Sequence, residues 1–137
     1  MALNMTPKIA FMFPQSDETK LAQLSFTLKQ EQFTFCLGIG FVGLAQLAQQ
    51  LVCTLNIFDP SGKDLLGTSG ADEPPAFFPI EPAYVAQHSG TTFTRLQSVL
   101  PIDIPGDYRV VCTLYEQGFG NLLDEKEIWF HIVMQEK

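Results

Sequence analysis

Positive charge is scarce in this sequence. Lys and Arg number 8 against 15 Asp and Glu, the formal net charge is −7, and no segment clusters its cations. A surface of this sign repels the phosphates of nucleic acids and the anionic headgroups of lipids. We therefore expect no nucleic-acid partner and no membrane partner, and we interpret the acidity as a contribution to solubility.

The sequence also lacks a hydrophobic run long enough to cross a bilayer and a recognisable secretion signal. Its longest nearly apolar stretch covers residues 33–45, whereas a membrane-spanning helix needs about 20 residues. The first residues, MALNMTPKIAFMF, show no basic segment, no long apolar segment and no small-residue cleavage site. These absences favour a cytoplasmic location.

Cysteine and histidine are few and widely spaced. The three cysteines, Cys36, Cys53 and Cys112, form no CxxC pair, so we expect three buried free thiols that behave as small hydrophobic residues. His88 and His131 have no second His or Cys at ligand spacing, which argues against a zinc site. A G-x-S-x-G nucleophile motif is also missing. We predict no metal, no cofactor and no catalytic residues, and therefore no enzyme.

What the sequence does contain is apolar material for one folded core. Hydrophobic residues make up 46% of the 137 residues, and 12 residues are Phe. This content is high enough to offset the entropy cost of ordering the chain. The length is that of one domain, and no repeat, heptad or linker divides it. We predict a single domain over residues 1–137.

The last third of the chain carries the clearest secondary-structure signal. Residues 107–115 and 126–134 alternate between apolar and polar positions around a connector that contains Gly and Asn. A period of two is typical of β-strands with one buried face. We predict an antiparallel hairpin over residues 105–134, with Arg109 and Thr113 on its outer face. The positions predicted to face the core are Tyr108, Val110, Cys112, Leu114, Ile128, Phe130 and Ile132.

The rest of the chain has the pattern of short strands and turns. Residues 22–28 and 33–37 are separated by a polar turn and are predicted to pair as an antiparallel hairpin. Helical spacing of Leu and Ala allows one short helix near residues 43–50. The proline-rich residues 67–82 are predicted to form an irregular loop. Further strands are predicted at residues 8–13, 52–58 and 91–100.

These elements predict an all-β fold, an antiparallel immunoglobulin-like β-sandwich of about seven to nine strands. The turn at residues 59–63 (DPSGK) and the strand opening at residues 105–108 (PGDY) resemble features of uncharacterised prokaryotic immunoglobulin-like sandwiches. The resemblance implies the fold and no active site. True immunoglobulin domains place a Trp between two bridged cysteines, whereas Trp129 follows both Cys53 and Cys112 here.

A glycine motif offers a different interpretation. Gly38, Gly40 and Gly43 form a literal G-x-G-x-x-G after a predicted strand, and Asp59 follows the next predicted strand. This is the local pattern of dinucleotide-binding βαβ units, in which the glycines approach the pyrophosphate and the acid binds the ribose. The predicted helix is too short for a crossover, which normally needs about a dozen residues or more. Bulges or bends at the glycines are therefore favoured over a dinucleotide site.

The proline-rich segment holds the candidate partner-binding residues, Phe77 and Phe78. The adjacent Pro74, Pro75 and Pro79 restrict the backbone, and exposed rings on a stiff segment lose little entropy when a partner binds. The alternative is that both rings fold back and close one end of the sandwich.

Three functions follow, in order of preference. The first is a non-enzymatic protein-interaction or assembly module that binds a protein partner or forms a homo-oligomer, and a large, flat, symmetric apolar patch would favour it. The alternative is a small-ligand or carbohydrate-binding β-sandwich, which an apolar cleft with convergent polar groups would favour. The third is an NAD-linked enzyme that uses the glycine motif at residues 38–43.

The short predicted helix and the strand-rich remainder generate a first prediction. Calorimetric titration with NAD or NADP should show no binding, because no crossover helix of sufficient length follows the glycines. Micromolar binding that is abolished by Gly40→Val would contradict this prediction and the sandwich fold together.

Overall fold

The computed structural model describes residues 6–44, 50–66, 76–80 and 91–135, and the regular elements in these ranges are all β-strands. None of these residues belongs to a helix with the length and hydrophobicity to cross a membrane. The strands, in chain order, are β1 (Lys8–Gln15), β2 (Ser25–Leu28), β3 (Gln32–Val42), β4 (Leu51–Phe58), β5 (Ala76–Ile80), β6 (Thr92–Pro101), β7 (Gly106–Tyr115) and β8 (Leu122–Met134).

The strands form two sheets that enclose one core. The first is a three-stranded antiparallel sheet in the order β1-β3-β6. The second is a five-stranded sheet in the order β2-β8-β7-β4-β5, in which only β2 and β8 run parallel. The predicted all-β sandwich is confirmed, and the number of strands in the described ranges lies within the predicted range.

Aromatic rings join the two sheets at the centre of the core. Phe35 of β3 stacks on Phe130 of β8 with 4.7 Å between ring centroids, and Phe130 stacks on Tyr108 of β7 at 5.3 Å. All three side chains are almost completely buried. Aromatic pairs contribute about 0.5–1.5 kcal/mol beyond the burial of their area. This three-ring stack therefore links the central strand of one sheet to two strands of the other.

The predicted C-terminal hairpin is confirmed. β7 and β8 pair antiparallel, with Tyr108 opposite Phe130. The positions predicted to face the core are buried, apart from Ile128, which is partly buried and packs against the core. Thr113 is buried as well, but on the outer face of the sheet, where its hydroxyl donates to the Glu125 carboxylate at 3.1 Å.

The predicted pairing of residues 22–28 with residues 33–37 is wrong. β2 runs parallel to β8 in the five-stranded sheet, whereas residues 33–37 belong to β3 of the other sheet. Phe26 and Phe33 meet inside the core with 4.8 Å between their ring centroids. Two consecutive strands can bury their apolar faces either side by side or in opposite sheets, and alternation alone does not distinguish the two arrangements.

The irregular loop predicted over residues 67–82 is wrong for residues 76–80. These residues form β5, which pairs antiparallel with β4 at the edge of the five-stranded sheet. An edge strand accepts Pro79 because the missing N–H can face away from the neighbouring strand.

Some predicted features lie wholly or partly outside the described residues. Gly43 and Gln50, at the ends of the predicted helix, are described and are not helical. The features outside the described ranges are residues 45–49 of that helix, residues 67–75 and 81–82 of the predicted loop, and His88.

The three cysteines are buried free thiols. Cys53 and Cys112 lie on neighbouring strands of the same sheet, whereas the immunoglobulin disulfide joins opposite sheets. A hydrogen bond between the two thiols, together with burial, raises the pKa of Cys53. The thiol therefore stays protonated at neutral pH and acts as a small core residue.

Tyr108 ties the start of β7 to the preceding loop. Its hydroxyl donates to the Ile104 carbonyl at 2.5 Å, which is the arrangement of a tyrosine corner in immunoglobulin-like sandwiches. Burial, together with the Asp59 and Asp103 carboxylates, raises the pKa of Tyr108. The resulting stabilisation is fully present below the unfolded tyrosine pKa of about 10 and is lost as the pH rises through the folded value.

Tyr108→Phe should lower the free energy of unfolding by about 1 kcal/mol, because the Ile104 carbonyl loses its donor. The stability of the variant should also fall less steeply than that of the wild type above a pH of about 10. Urea unfolding at neutral and alkaline pH measures both effects. Tyr115→Phe, an exchange nearer the surface, is the control and should behave as the wild type. If Tyr108→Phe unfolds with the same free energy as the wild type, the hydrogen bond to Ile104 contributes nothing to stability.

Candidate functional site

The first two glycines of the G-x-G-x-x-G motif lie inside a strand. Gly38 and Gly40 belong to β3, which pairs with β1 on one side and with β6 on the other. A dinucleotide site requires its glycines at a strand-to-helix turn. The expected bulge is found beside Gly40 and not at Gly38. Ile9 and Phe11 of β1 pair with Phe41 and Gly40, so β1 has one extra residue at this step, whereas β3 and β6 keep a continuous register through both glycines.

Asp59, the predicted ribose ligand of that motif, forms hydrogen bonds within its own turn. Its carboxylate accepts hydrogen bonds from the Ser61 backbone at 2.9 Å, the Ser61 hydroxyl at 2.6 Å and the Lys63 backbone at 3.0 Å. Burial acts to raise the pKa of Asp59, but these hydrogen bonds lower it overall. The DPSGK segment is therefore a self-contained turn.

The glycines of β3 make room for a cluster of phenylalanine rings. Phe11 and Phe13 of β1 lie over Gly40 and Gly38, and Phe93 of β6 flanks Gly40 from the other side. A Cβ on Gly38 would lie 2.6 Å from Cζ of Phe13, and a Cβ on Gly40 would be closer still to Phe11. A side chain at either position would displace the rings. We call Phe11, Phe13 and Phe93 the aromatic face.

The rings of the aromatic face are close to one another and nearly parallel; Phe11 and Phe93 are open to solvent, and Phe13 is partly buried. Their centroids are 5.9, 6.0 and 6.3 Å apart, and the angles between their planes are 15°, 27° and 20°. Phe11 is 44% exposed and Phe93 is 49% exposed. Leaving a Phe in water forgoes roughly 1.5–3 kcal/mol of burial. Contiguous exposed apolar side chains are typical of binding surfaces.

A row of polar side chains borders the aromatic face. Arg95, paired with Gly38, donates from Nε to Oε1 of Gln15 at 2.7 Å, and its Nη2 lies 3.5 Å from Oδ1 of Asp17. Gln97 donates from Nε2 to the same Asp17 oxygen at 3.4 Å. These contacts hold amide, guanidinium and carboxylate groups in fixed positions. We call Gln15, Asp17, Arg95 and Gln97 the polar row.

Cys36 lies beneath the polar row. Its Sγ is 3.6 Å from Oδ1 of Asp17 and 3.4 Å from Nη2 of Arg95. Burial raises the pKa of Cys36, against the lowering effect of Arg95. A protonated, buried thiol is a poor nucleophile, so the polar row favours hydrogen bonding over covalent chemistry.

An open groove of about 450 Å³ adjoins the aromatic face. This volume lies in the range of small-molecule sites, roughly 300–1,000 Å³. The buried Oγ1 of Thr92 has no hydrogen-bond partner among the residues that the structure describes. The groove is lined by Ala10, Phe11, Gly40, Phe41, Val42, Thr91, Thr92 and Phe93. The groove lining is therefore mainly apolar, and the Thr92 hydroxyl lies on the core side of the sheet, since Thr92 pairs with the inward-facing Phe41.

The structure separates the two predicted partner-binding residues. Phe77 is 51% exposed and meets the Phe119 ring edge-to-face at 5.4 Å. Phe78 packs against the core, with 6.1 Å between its ring centroid and that of Phe41. Both lie in β5 of the five-stranded sheet, whereas the aromatic face belongs to the three-stranded sheet. Phe77 keeps the exposure that a partner contact requires, and Phe78 contributes to packing.

The described ranges bring together no candidate metal site. No group of three or more His, Cys, Asp or Glu side chains in these ranges could hold a metal ion. His131 instead pairs with Asp107, with 2.7 Å between Nδ1 and Oδ1, at the exposed surface.

Sequence reasoning did not single out the aromatic face. Phe11 and Phe13 stand in an ordinary apolar run, and Phe93 stands in a separate predicted strand. The sequence did contain a signal. Phe11 and Phe13 are two residues apart in one strand, and Gly38 and Gly40 are two residues apart in another, so each ring can lie over one glycine. The match acquires meaning only when β1 is known to pair with β3.

The fold has counterparts among solved structures. A protein assigned as a β-galactosidase from Bacteroides fragilis matches with a TM-score of 0.59 and 15% identity, over 90% of this chain and 17% of that chain. A β-glucuronidase from Bacteroides uniformis matches with a TM-score of 0.62 and 16% identity, over 92% of this chain and 14% of that chain. At such identity the likeness shows the fold alone, and this chain spans only a small part of either protein. No family model and no curated protein matches the sequence.

The close approach of Phe11 to Gly40 gives a prediction. Gly40→Ala should displace the Phe11 ring and lower the free energy of unfolding by about 1 kcal/mol, because an overpacking cost of about 1–3 kcal/mol is partly offset by the roughly 0.5–1 kcal/mol that Ala gains over Gly in a strand. In a Phe11→Ala background the added methyl has room, so this cost should shrink by about half or more. Urea unfolding of the wild type, both single variants and the double variant measures the coupling. If the double variant loses as much stability as the two single variants together, the Phe11 ring and Gly40 are not coupled.

Proposed function

We propose that this chain is a non-enzymatic carbohydrate-binding module, and that the aromatic face and the polar row together form its binding surface. One observation carries the proposal. Three clustered rings, of which Phe11 and Phe93 are about half-exposed, lie beside hydrogen-bonding groups on the same face of one sheet. This arrangement is closer to an apolar cleft with convergent polar groups than to a large flat patch.

The chemistry of a pyranose sugar fits these two kinds of surface. The C–H groups on the faces of the sugar ring are apolar, and hydroxyl groups project around its rim. Phenylalanine rings can cover the C–H groups through dispersion and through the attraction between C–H and the π-face. The amide, guanidinium and carboxylate groups of the polar row can donate to or accept from the hydroxyls.

The structural comparisons support an accessory role. The matched proteins are named for activity on β-galactosides and β-glucuronides, and the matched part is 17% of one chain and 14% of the other. A small sandwich inside such a protein is consistent with a binding or supporting unit that accompanies a separate catalytic part.

We propose binding without catalysis at this face. Glycosidases use two carboxyl groups that flank the scissile bond. The carboxylate that the polar row contributes, Asp17, is engaged by Arg95 and Gln97. The NAD-linked function is not proposed, because the strand geometry of Gly38 and Gly40 lacks the turn that a dinucleotide needs.

Removing a ring from the aromatic face should weaken sugar binding. Phe11→Ala and Phe93→Ala should each reduce affinity about tenfold, because truncating a central anchor commonly removes more than about 1 kcal/mol. Titration calorimetry with oligosaccharides that end in β-galactose or β-glucuronic acid measures the change. Thermal melts of both variants should stay near the wild type, since the rings are half-exposed.

Trp129→Ala is the matched control for this experiment. Its ring is 52% exposed on β8 of the other sheet, so the variant should bind the same sugars with unchanged affinity. The proposed function fails if the wild-type protein binds no member of the panel, or if Phe11→Ala and Phe93→Ala both bind as the wild type does.

A second function, protein interaction or assembly, has support from β5. The half-exposed Phe77 contacts Phe119, whose ring centroid lies 5.8 Å from that of Tyr115. In the described sheet, β5 is also an edge strand, and edge strands offer unpaired backbone groups to another chain. We propose this surface as the contact for a protein partner or a second copy. It lies on the sheet opposite the aromatic face, so the two functions are compatible.

The two phenylalanines of β5 should respond differently to truncation. Phe77→Ala should weaken association and leave the melting temperature nearly unchanged, because the ring is half-exposed. Phe78→Ala should destabilise the fold by about 2 kcal/mol, less than the roughly 3–5 kcal/mol for a fully buried Phe. Sedimentation and thermal melts of both variants measure these effects. If Phe77→Ala melts much lower and associates normally, Phe77 is a packing residue.

A further inference from the structure

The aromatic face is small in both directions of its sheet. Along the strands, its rings occupy the two successive outward rows that contain Gly40 and Gly38, which lie about 7 Å apart at roughly 3.4 Å per residue. Across the strands, the rings come from β1 and β6, which are the two edges of the described three-stranded sheet. The patch is therefore bounded on both sides by the limits of that sheet.

The outward-facing residues in the rows next to the aromatic face are not aromatic. On one side, the next row contains Gln15, Cys36 and Gln97, which belong to or underlie the polar row. On the other side, the next row pairs Lys8 with Val42. A sugar chain that extends along the strands would meet hydrogen-bonding groups after its first ring contact, and it would meet no second aromatic ring in these rows.

The spacing of the rings points to a single stacking position. The three centroids form a nearly equilateral triangle with sides of 5.9, 6.0 and 6.3 Å. A surface that follows an extended polysaccharide needs rings in a line, so that successive sugars each contact one. A compact triangle instead concentrates its apolar contact on one six-membered sugar ring.

We propose that this surface binds two adjacent sugar units, a disaccharide-sized footprint; this inference rests on the proposed function. One pyranose ring contacts the aromatic face, and a second sugar on the polar-row side hydrogen-bonds to Gln97 and its neighbours. Further sugars of a longer glycan extend beyond both groups and contribute little. The ligand class is therefore a short glycan, or two adjacent units of a longer one.

A series of β-linked galacto-oligosaccharides, from the monosaccharide to the hexasaccharide, tests the footprint. Oligosaccharides of the same lengths that end in β-glucuronic acid form a second series. Calorimetric or NMR titration should show affinity rising about tenfold from one unit to two and changing by less than about threefold from two to six. A further tenfold rise at three or more units overturns the footprint and leaves carbohydrate binding intact. Failure to bind any member of either series removes the proposed function itself.

Variants assign the two sugar positions. Gln97→Ala should reduce disaccharide affinity towards that of the monosaccharide and leave monosaccharide affinity unchanged, whereas Phe93→Ala should weaken both. Gln117→Ala, an exposed Gln in the turn between β7 and β8, is the control and should change neither. If Gln97→Ala reduces the affinity for the monosaccharide and the disaccharide equally, or reduces neither, the assignment of the second sugar to the polar row is overturned.

Discussion

The stack of Phe35, Phe130 and Tyr108 sets the strand orientations on which the rest of the structure depends. Successive side chains of a strand point to opposite faces, so holding Phe35 in the core also turns Ile39 inward and Gly38 and Gly40 outward. A slip of one residue in β3 would bury the glycines and expose the apolar residues between them. The contact between the sheets inside the core thereby determines what the outer face of the three-stranded sheet can carry.

The outer face of the five-stranded sheet is mixed, with charged pairs beside the exposed rings of Phe77 and Trp129. On the larger sheet, Arg109 pairs with Glu127 at 3.2 Å and lies over the Phe58 ring at 4.5 Å from its centroid. Such exposed pairs add little stability and keep a surface soluble. On the smaller sheet, glycine weakens the strand interior by roughly 0.5–1 kcal/mol relative to Ala. Cross-strand rings that cover the glycines compensate for part of this loss and leave apolar area available to a ligand.

Much of the fold could be predicted because its signals are local. The hairpin of β7 and β8 follows from alternation within residues 105–134, where the two strands are consecutive and a short turn aligns them. The parallel pairing of β2 with β8 could not be predicted in the same way, because its partners are far apart in the chain. The edge position of β5 is a similar case, since proline content alone does not distinguish a loop from an edge strand.

The sequence by itself determined the fold class, the C-terminal hairpin and a pair of aromatic candidates at Phe77 and Phe78. The tertiary structure decided which of that pair is exposed, because the register of β5 against β4 sends adjacent side chains to opposite faces. It also decided the purpose of the glycine motif, which is space for rings in β3 and not a phosphate-binding turn. The aromatic face exists only after three strands from distant parts of the chain have paired, and the core contacts that align those strands are long-range.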